Sequence, residues 1–172
     1  ALLKGGENPK LYNRGNGFYG TDISHVLPFL ELPTTSYHNR LQVRGEIVMP
    51  KSEFENFSDR FKNRRNLVSG ALNAKTPDAE ILSKLRFVAF EVIRPRKRTM
   101  VEQIDYLRIL GFEVPPNRVE VENLDLDFLE QKLEEFQVGN PYDIDGVVVH
   151  DCSMFHRRIR GKNPKYSFAF KN

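Results

Sequence analysis

Charged side chains interrupt apolar, strand-like runs at several points of the chain, where core packing alone does not require them. Val43-Arg-Gly-Glu46 sets two opposite charges inside one such run. Alternation along a strand directs Arg44 and Glu46 to the face opposite Val43. That face must therefore be polar, exposed to solvent or lined by a ligand.

Three further segments combine charge or glycine with strand-like sequence. Asp143-Ile-Asp-Gly146 leads into three valines, which puts Asp145 at the mouth of a buried strand. Lys171 directly follows the apolar Phe168-Ala-Phe170. Arg14-Gly-Asn-Gly17 is a glycine-rich loop whose backbone can approach a phosphate closely. Taken singly, each segment also has a structural explanation as a turn, a strand end or a hairpin loop.

Hydrophobic periodicity predicts the strands that carry these segments. Leu41–Met49 alternates with period two, whereas Leu85–Ile93 is nearly continuous in apolar residues, as is typical of a strand covered on both faces. Asp143–Val149 and Tyr166–Phe170 are two further predicted strands. Because strands and helices do not alternate regularly, the predicted class is α+β with mainly antiparallel sheets.

Helix-start signals precede three apolar stripes. Pro50 suits the first turn of one helix. Thr99 and Glu102 form a capping box that opens a second, and Asp127 with Glu130 is predicted to open a third in the same manner. The three stripes consist of Phe54, Phe57 and Phe61; Met100, Ile104 and Leu107; and Leu129, Leu133 and Phe136.

Length and composition limit the class of protein. With 172 residues, 40% of them hydrophobic and 28% charged, the chain is expected to form one globular domain spanning residues 1–172. No apolar run reaches the roughly 18 residues of a membrane span, so no membrane partner is expected. The single cysteine, Cys152, excludes an internal disulfide framework and a cysteine-based zinc site. We therefore expect an intracellular protein.

The charge is unevenly distributed, although its net value is only +3. Acidic residues outnumber basic ones ten to three between Glu102 and Glu135. Basic residues cluster instead within Arg60–Arg65, Arg94–Arg98 and Arg157–Lys162. A polarised surface suits a phosphate-rich partner, although each cluster alone is also explained as a solvated face.

Taken in order, the charged segments resemble the adenylation domain of NAD-dependent DNA ligases. The resemblance extends from Leu11 to Lys171, and its Arg-Asn and Ser-Gly pair indicates the NAD-dependent rather than the ATP-dependent branch. The segments that carry it are Arg14-Gly-Asn-Gly17 with Gly20-Thr-Asp22, Val43-Arg-Gly-Glu46, Arg65-Asn66 with Ser69-Gly70, Phe87-Val-Ala-Phe90, Asp145-Gly-Val-Val-Val149 and Lys162-Asn-Pro-Lys-Tyr-Ser-Phe-Ala-Phe-Lys171.

The resemblance implies the covalent nucleotidyltransferase fold, in which two antiparallel sheets flanked by helices hold the nucleotide between them. It also implies a reaction. A lysine in a Lys-x-Asp-Gly segment takes AMP from NAD, with Mg²⁺ assisting, and AMP then passes to the 5′-phosphate of a nick in duplex DNA. NAD, Mg²⁺ and nicked duplex DNA are thus the expected cofactors and partners, in replication and repair, and we expect a monomer.

Nucleotide-binding roles follow from the resemblance, motif by motif. Arg14 is expected at the AMP phosphate or ribose, and Glu46 at the ribose or a metal-bound water. Phe90 is expected to stack on adenine, and Val148 to line the adenine pocket. His150 occupies the position of an adenine-contacting lysine in the family.

The resemblance assigns the reacting phosphate to a second group of residues. Lys171 is expected to neutralise the α-phosphate, and Lys162 to assist in nucleotide binding. Asp145 is expected to be the second carboxylate beside the nucleotide. Glu46 and Asp145, with Lys171, are thus the implied catalytic residues, and the two carboxylates are the implied Mg²⁺ ligands.

Arginines are the residues that the resemblance and the basic clusters assign to DNA. Arg65 is expected to bind the 5′-phosphate of the nick. The other four expected DNA contacts are Arg64, Arg157, Arg158 and Arg160.

Two positions depart from the family pattern. The Lys-x-Asp-Gly segment is absent and would precede Ala1 by a few residues, so this fragment is not expected to adenylylate itself. Lys4-Gly-Gly-Glu7 does not replace it, because it lacks the aspartate and is typical of a hairpin turn. The second departure is His150, since histidine does not carry a dependable charge at neutral pH.

Two alternative functions remain open at the level of sequence. One is an RNA ligase or capping-type nucleotidyltransferase within the same superfamily. The other is a nucleic-acid-binding module that has kept the fold and lost the chemistry. The retention of Glu46, Asp145 and Lys171 opposes the second, because a binding module does not need two carboxylates beside polyphosphate.

Overall fold

Two antiparallel sheets form the framework of the protein. The computed structural model describes residues 1–16, 19–34, 41–95, 98–120, 124–156 and 164–171. Within these ranges, four strands form one sheet and two strands form another. The predicted α+β class with antiparallel sheets is confirmed.

The first sheet contains four strands: β1 (Leu2–Lys4), β2 (Lys10–Tyr12), β3 (Gln42–Val48) and β4 (Arg86–Arg94). Their order across the sheet is β2-β1-β3-β4, and every neighbouring pair is antiparallel. The predicted turn after Lys4 joins β1 to β2, and Gly6 within it has a φ of 143°, which favours glycine.

A bulge in β4 lies opposite the charged part of β3. Arg44 pairs with Glu91, whereas the next residue, Gly45, pairs with Ala89. Phe90 is therefore the extra residue of β4. Glycine is required at position 45 because a Cβ there would lie 2.6 Å from the Phe87 ring. The absence of a side chain at Gly45 thus leaves room for the Phe87 ring on the buried face of β3.

In the part of the chain that the structure describes, five α-helices accompany the strands: α1 (Lys51–Phe54), α2 (Arg64–Asn73), α3 (Ala79–Lys84), α4 (Met100–Ile109) and α5 (Leu126–Gln137). Pro50 lies at the N-cap position, immediately before α1 instead of within its first turn, and the helix gives way to a 3-10 turn at Glu55–Phe57. The predicted capping box of Thr99 and Glu102 is present at the start of α4.

The predicted start of α5 was wrong by two residues. The capping residue is Asp125, whose carboxylate accepts a hydrogen bond from the backbone N–H of Phe128 at 2.9 Å. Asp127 lies within the first turn instead. Both aspartates precede an apolar stripe, and the capping side chain must precede the helix to reach its free N–H groups.

The main core lies on one face of the first sheet. α2 packs against β3 and α3, and α4 packs against β4. Core side chains that are completely buried come from all of these layers, namely Leu3, Leu11, Val26, Val43, Leu67, Leu82, Leu85 and Leu107. The opposite face of β3 and β4 is thus left for polar residues.

The second sheet pairs β5 (Val147–His150) with β6 (Ser167–Phe170). Val147 and Phe170 are directly opposite each other and belong to a small separate cluster with Leu129 and Leu133 of α5. Alternation then places Val148 and Lys171 on the other face of this sheet.

The predicted strand Asp143–Val149 begins only at Val147. Two of the four residues before it, Asp143 and Ile144, are bonded to helices instead of to a neighbouring strand. Asp143 binds Arg64 of α2, and the carbonyl of Ile144 accepts a hydrogen bond from Gln137 of α5 at 2.8 Å. Among the described helices, none is both long and apolar enough to cross a membrane.

Candidate active site

Asp145 and Lys171 meet at one edge of the second sheet. The Nζ of Lys171 donates to Oδ2 of Asp145 at 2.6 Å. This hydrogen bond lowers the pKa of Asp145 from its ordinary value. Both side chains are largely exposed, at 62% and 81%, so the pair faces solvent and is open to a ligand.

Gly146 explains why the segment is Asp-Gly. A Cβ at this position would lie 2.4 Å from the carbonyl oxygen of Phe170 and 2.8 Å from Cγ of Lys171. Only glycine therefore lets the Lys171 side chain cross the backbone toward Asp145.

Arg65 brings a second positive charge to the pair. It is exposed on the first turn of α2, where Asn63 caps the helix by accepting from the N–H of Asn66 at 2.9 Å. Its charge also lowers the pKa of Asp145, after the larger effect of Lys171. The hydrogen bonds of the preceding residue, Arg64, to Asp143 hold the start of α2 beside this segment, so that the charges of Arg65 and Lys171 both suit a phosphate near Asp145.

Arg64 points to a different partner. Its guanidinium donates from two nitrogens to both carboxylate oxygens of Asp143, at 2.6 and 2.5 Å. Sequence reasoning missed this contact, because Asp143 carried no assignment of its own. The one available signal was its position two residues before Asp145.

The polar face of the first sheet has the predicted residues and one additional carboxylate. Arg44 forms an ion pair with Glu91 of β4, which sequence reasoning did not single out. Glu46 is exposed, and its carboxylate forms no hydrogen bond or ion pair with the residues that the structure describes. It is therefore available for a ligand.

Arg14 is exposed shortly after β2, and Glu46 is exposed on β3. The backbone nitrogen of Ala1 donates to the carbonyl of Gly45 at 2.6 Å, which holds the residue before β1 beside this part of β3. The loop after Arg14 is tight, since Gly15 has a φ of 53°. The remainder of the predicted glycine-rich loop includes Gly17, which lies outside the described residues.

His150 connects the second sheet to the first. Burial lowers the pKa of His150, and the charge of Glu91 on β4 opposes this change. Val148 lies on the same face of β5 and is 60% exposed, whereas Phe90 next to Glu91 is half-buried. Val148 and His150 thus share one face of β5, and His150 lies beside Glu91, the residue that follows Phe90 on β4.

A small polar cavity of about 30 Å³ adjoins His150. Arg98 and Glu91 contribute to its lining. Neither Nδ1 of His150 nor Nε of Arg98, both buried atoms, has a hydrogen-bond partner among the described residues. Arg98 is held in place by the Tyr106 ring, whose centroid lies 4.1 Å from the guanidinium carbon.

Asp151 organises the chain that leaves β5. It accepts hydrogen bonds from the backbone and side chain of Ser153, and Nε2 of His156 lies 2.9 Å from it. These contacts, with Ser153 contributing most, lower the pKa of Asp151 to about 2. His156 also stacks on the Tyr166 ring, with the two ring centroids 4.4 Å apart. In the described ranges, no three histidine, cysteine, aspartate or glutamate side chains form a metal-binding group.

Four predicted residues of the site cannot be placed. They are Lys162, which was assigned to the nucleotide, and Arg157, Arg158 and Arg160, which were assigned to DNA; all four lie outside the described residues.

Comparison with known proteins identifies the family of this chain. The profile of the NAD-dependent DNA ligase adenylation domain matches residues 4–172. A DNA ligase of Acanthamoeba polyphaga mimivirus is 34% identical over 94% of this chain and 26% of its own length. A DNA ligase of Mycoplasmopsis agalactiae is 32% identical over 98% of this chain and 27% of its own length.

A DNA ligase of Anoxybacillus flavithermus gives a similar comparison, with 30% identity over 92% of this chain and 26% of its own length. The chain thus spans about a quarter of the length of the curated relatives it matches. The family match covers almost every residue and both sheets, so the chain belongs to the NAD-dependent DNA ligase adenylation domain family.

Proposed function

We propose that this chain is the nucleotide-binding domain of a DNA ligase, which takes AMP from NAD and transfers it to the 5′-phosphate of a nick. The observation that carries the proposal is the ion pair of Lys171 and Asp145 at one end of the second sheet, where Asp143 also binds the start of α2, the helix that carries Arg65. Matched relatives named DNA ligase support it. We further propose that residues 1–172 act as one intracellular, monomeric domain of a larger protein.

The adenine and the phosphate have different requirements. Adenine is flat and apolar on its faces, which suits Phe90 and the exposed Val148, and His150 can hydrogen-bond its edge. The phosphate needs cations, which Lys171 and Arg14 supply from the two sheets. A nucleotide lying between the sheets satisfies both requirements.

The carboxylates of Glu46 and Asp145 are not equally suited to bind Mg²⁺. Glu46 is exposed and has no partner among the described residues, which suits a Mg²⁺ ligand. Asp145 already accepts from Lys171 through Oδ2, so only its other oxygen remains open. Mg²⁺ commonly uses one or two carboxylates together with substrate phosphate and water. When bound, it neutralises phosphate charge during transfer.

DNA is the proposed acceptor, through Arg65 and the basic residues that follow β5. Arg65 lies at the capped start of α2, where free backbone N–H groups also favour a phosphate. An RNA ligase or a capping-type enzyme would use the same nucleotide site. A 5′-phosphorylated nick in DNA compared with the same nick in RNA distinguishes these possibilities by affinity.

Binding of AMP tests the proposal most directly. Isothermal titration calorimetry should detect AMP, and Lys171→Ala should weaken it about tenfold, because a hydrogen bond to a charged group is worth about 1.5–3 kcal/mol. Lys165→Ala is the matched control, since Lys165 is also exposed and lies six residues earlier on the same segment.

Equal affinities of the parent, Lys171→Ala and Lys165→Ala proteins for AMP would remove Lys171 from the site. A parent protein that binds neither AMP nor NAD would favour the nucleic-acid-binding alternative.

A further inference from the structure

One ion pair joins the first turn of α2 to the segment that precedes β5. Nε and Nη2 of Arg64 donate to the two carboxylate oxygens of Asp143, at 2.6 and 2.5 Å. The same guanidinium lies over the Phe54 ring, 5.5 Å from its centroid. Because the guanidinium of Arg64 is planar and is held by two oxygens and one ring, both its orientation and its distance from Asp143 are fixed.

The neighbours of this pair are the residues of the candidate site. Arg65 follows Arg64 on α2, and Asp145 lies two residues after Asp143 in the chain. Asp145 precedes β5 and Lys171 follows β6, at the same end of the second sheet, and the two are bonded to each other. Arg65 comes from the other half of the molecule, so its distance from Asp145 depends on how α2 is held against this segment.

We propose that Arg64 and Asp143 are positioning residues, whose ion pair keeps Arg65 within reach of a phosphate bound at Lys171. The identity of that phosphate rests on the proposed function, whereas the geometry belongs to the chain itself. Charge attraction falls with distance, and a flexible Lys171–Asp145 pair at the surface cannot by itself hold α2 in place.

This role differs from the direct DNA contact that the basic cluster suggested for Arg64. The carboxylate of Asp143 accepts hydrogen bonds from both Nε and Nη2 of Arg64, and the Arg64 side chain is only 29% exposed. Arg64 therefore acts on the phosphate through Arg65.

Breaking the ion pair should leave the fold intact, because Lys51 also holds the same segment. The backbone N–H of Lys51 donates to the carbonyl of Pro141 at 2.8 Å, and its Nζ to the carbonyl of Asn140 at 3.1 Å. Arg64→Met is the suitable variant, since methionine keeps apolar contact with Phe54. Arg64→Lys is a second variant, which keeps the charge and loses the two-point contact.

The experiment measures how much the charge of Arg65 lowers the pKa of Asp145 in each protein. The carboxyl carbon of Asp145 is titrated by NMR before and after Arg65→Gln, which should raise the pKa of Asp145 in the parent protein. In the Arg64→Met and Arg64→Lys proteins, Arg65→Gln should raise the pKa of Asp145 by less than about half of the rise seen in the parent protein. Arg60→Met is the control. Arg60 forms an ion pair with Asp78, in which nitrogen and oxygen are 3.2 Å apart, and neither residue is part of the candidate site.

An equal effect of Arg65→Gln in all four backgrounds would overturn the proposal. A smaller effect in both Arg64 variants, with the parent value retained in Arg60→Met, supports it. Thermal unfolding of each protein shows that the comparison is made between folded molecules.

A second measurement uses nicked DNA duplexes with a 5′-phosphate or a 5′-hydroxyl. Arg65→Gln should reduce the preference for the phosphate about tenfold in the parent and only two- to threefold in Arg64→Met. If neither duplex binds, the proposed function fails, while the titration of Asp145 still decides whether Arg64 positions Arg65.

Discussion

At the scale of single residues, the candidate site depends on Gly146, which has no side chain. Gly146 allows Lys171 to cross the backbone, and both the carbonyl of Phe170 and Cγ of Lys171 occupy the space of a Cβ. The ion pair between Lys171 and Asp145 is thus a consequence of the Asp-Gly sequence. A carboxylate and a lysine at the same positions would not meet if residue 146 carried a side chain.

Gly146→Ala should therefore destabilise the protein by about 1–3 kcal/mol and weaken AMP binding, since the new methyl group displaces either strand β6 or Lys171. Urea unfolding and calorimetry measure the two effects. Gly70→Ala provides the control. It lies in α2 with its nearest contact for a Cβ at 3.7 Å, so alanine should stabilise the helix by about 1 kcal/mol. Equal stability of the two variants would contradict the crowding at Gly146.

At the scale of the secondary-structure elements, the start of α5 is set by Asp125. Asp125→Ala should cost about 1 kcal/mol in the free energy of unfolding, because it removes the acceptor for the N–H of Phe128. Asp127→Ala should cost less, since Asp127 lies inside the first turn. Chemical denaturation of both variants measures the difference, and a larger loss for Asp127→Ala would restore the boundary that the sequence pattern predicted.

Local patterns predicted most of the elements but not the contacts between them. The alternation of Leu41–Met49 and the capping box at Thr99 involve neighbouring residues, and both predictions are confirmed. Arg64 and Asp143 are 79 residues apart, so no local pattern could pair them. The bulge at Phe90 is likewise a property of the pairing of two strands.

The same distinction applies to the candidate site. The family resemblance selected Asp145 and Lys171, and the structure joins them. Their link to Arg65 depends on how α2 is held against the segment that precedes β5. Glu91 forms an ion pair with Arg44, and its charge opposes the lowering of the pKa of His150 by burial. Both effects depend on the arrangement of the two sheets. Such contacts require the tertiary structure.

At the scale of the whole molecule, the basic cluster at Arg60–Arg65 divides into paired and available charges. Arg60 is paired with Asp78, and Arg64 with Asp143. Arg65 is exposed and forms no hydrogen bond with a carboxylate among the described residues. Net charge alone therefore overstates how many cations this cluster presents to a phosphate backbone.

Binding to nicked duplex DNA should accordingly be weak, independent of sequence and steeply dependent on salt, because counterions are released from the phosphates that the protein neutralises. Each neutralised phosphate contributes about 0.9 to the slope of log affinity against log salt concentration. Arg65→Gln should lower the slope by about that amount, whereas Arg60→Gln should leave it nearly unchanged. Fluorescence anisotropy across a range of salt concentrations measures both slopes. Affinity that does not change with salt, or equal losses in the two variants, would show that Arg65 does not contact the DNA backbone.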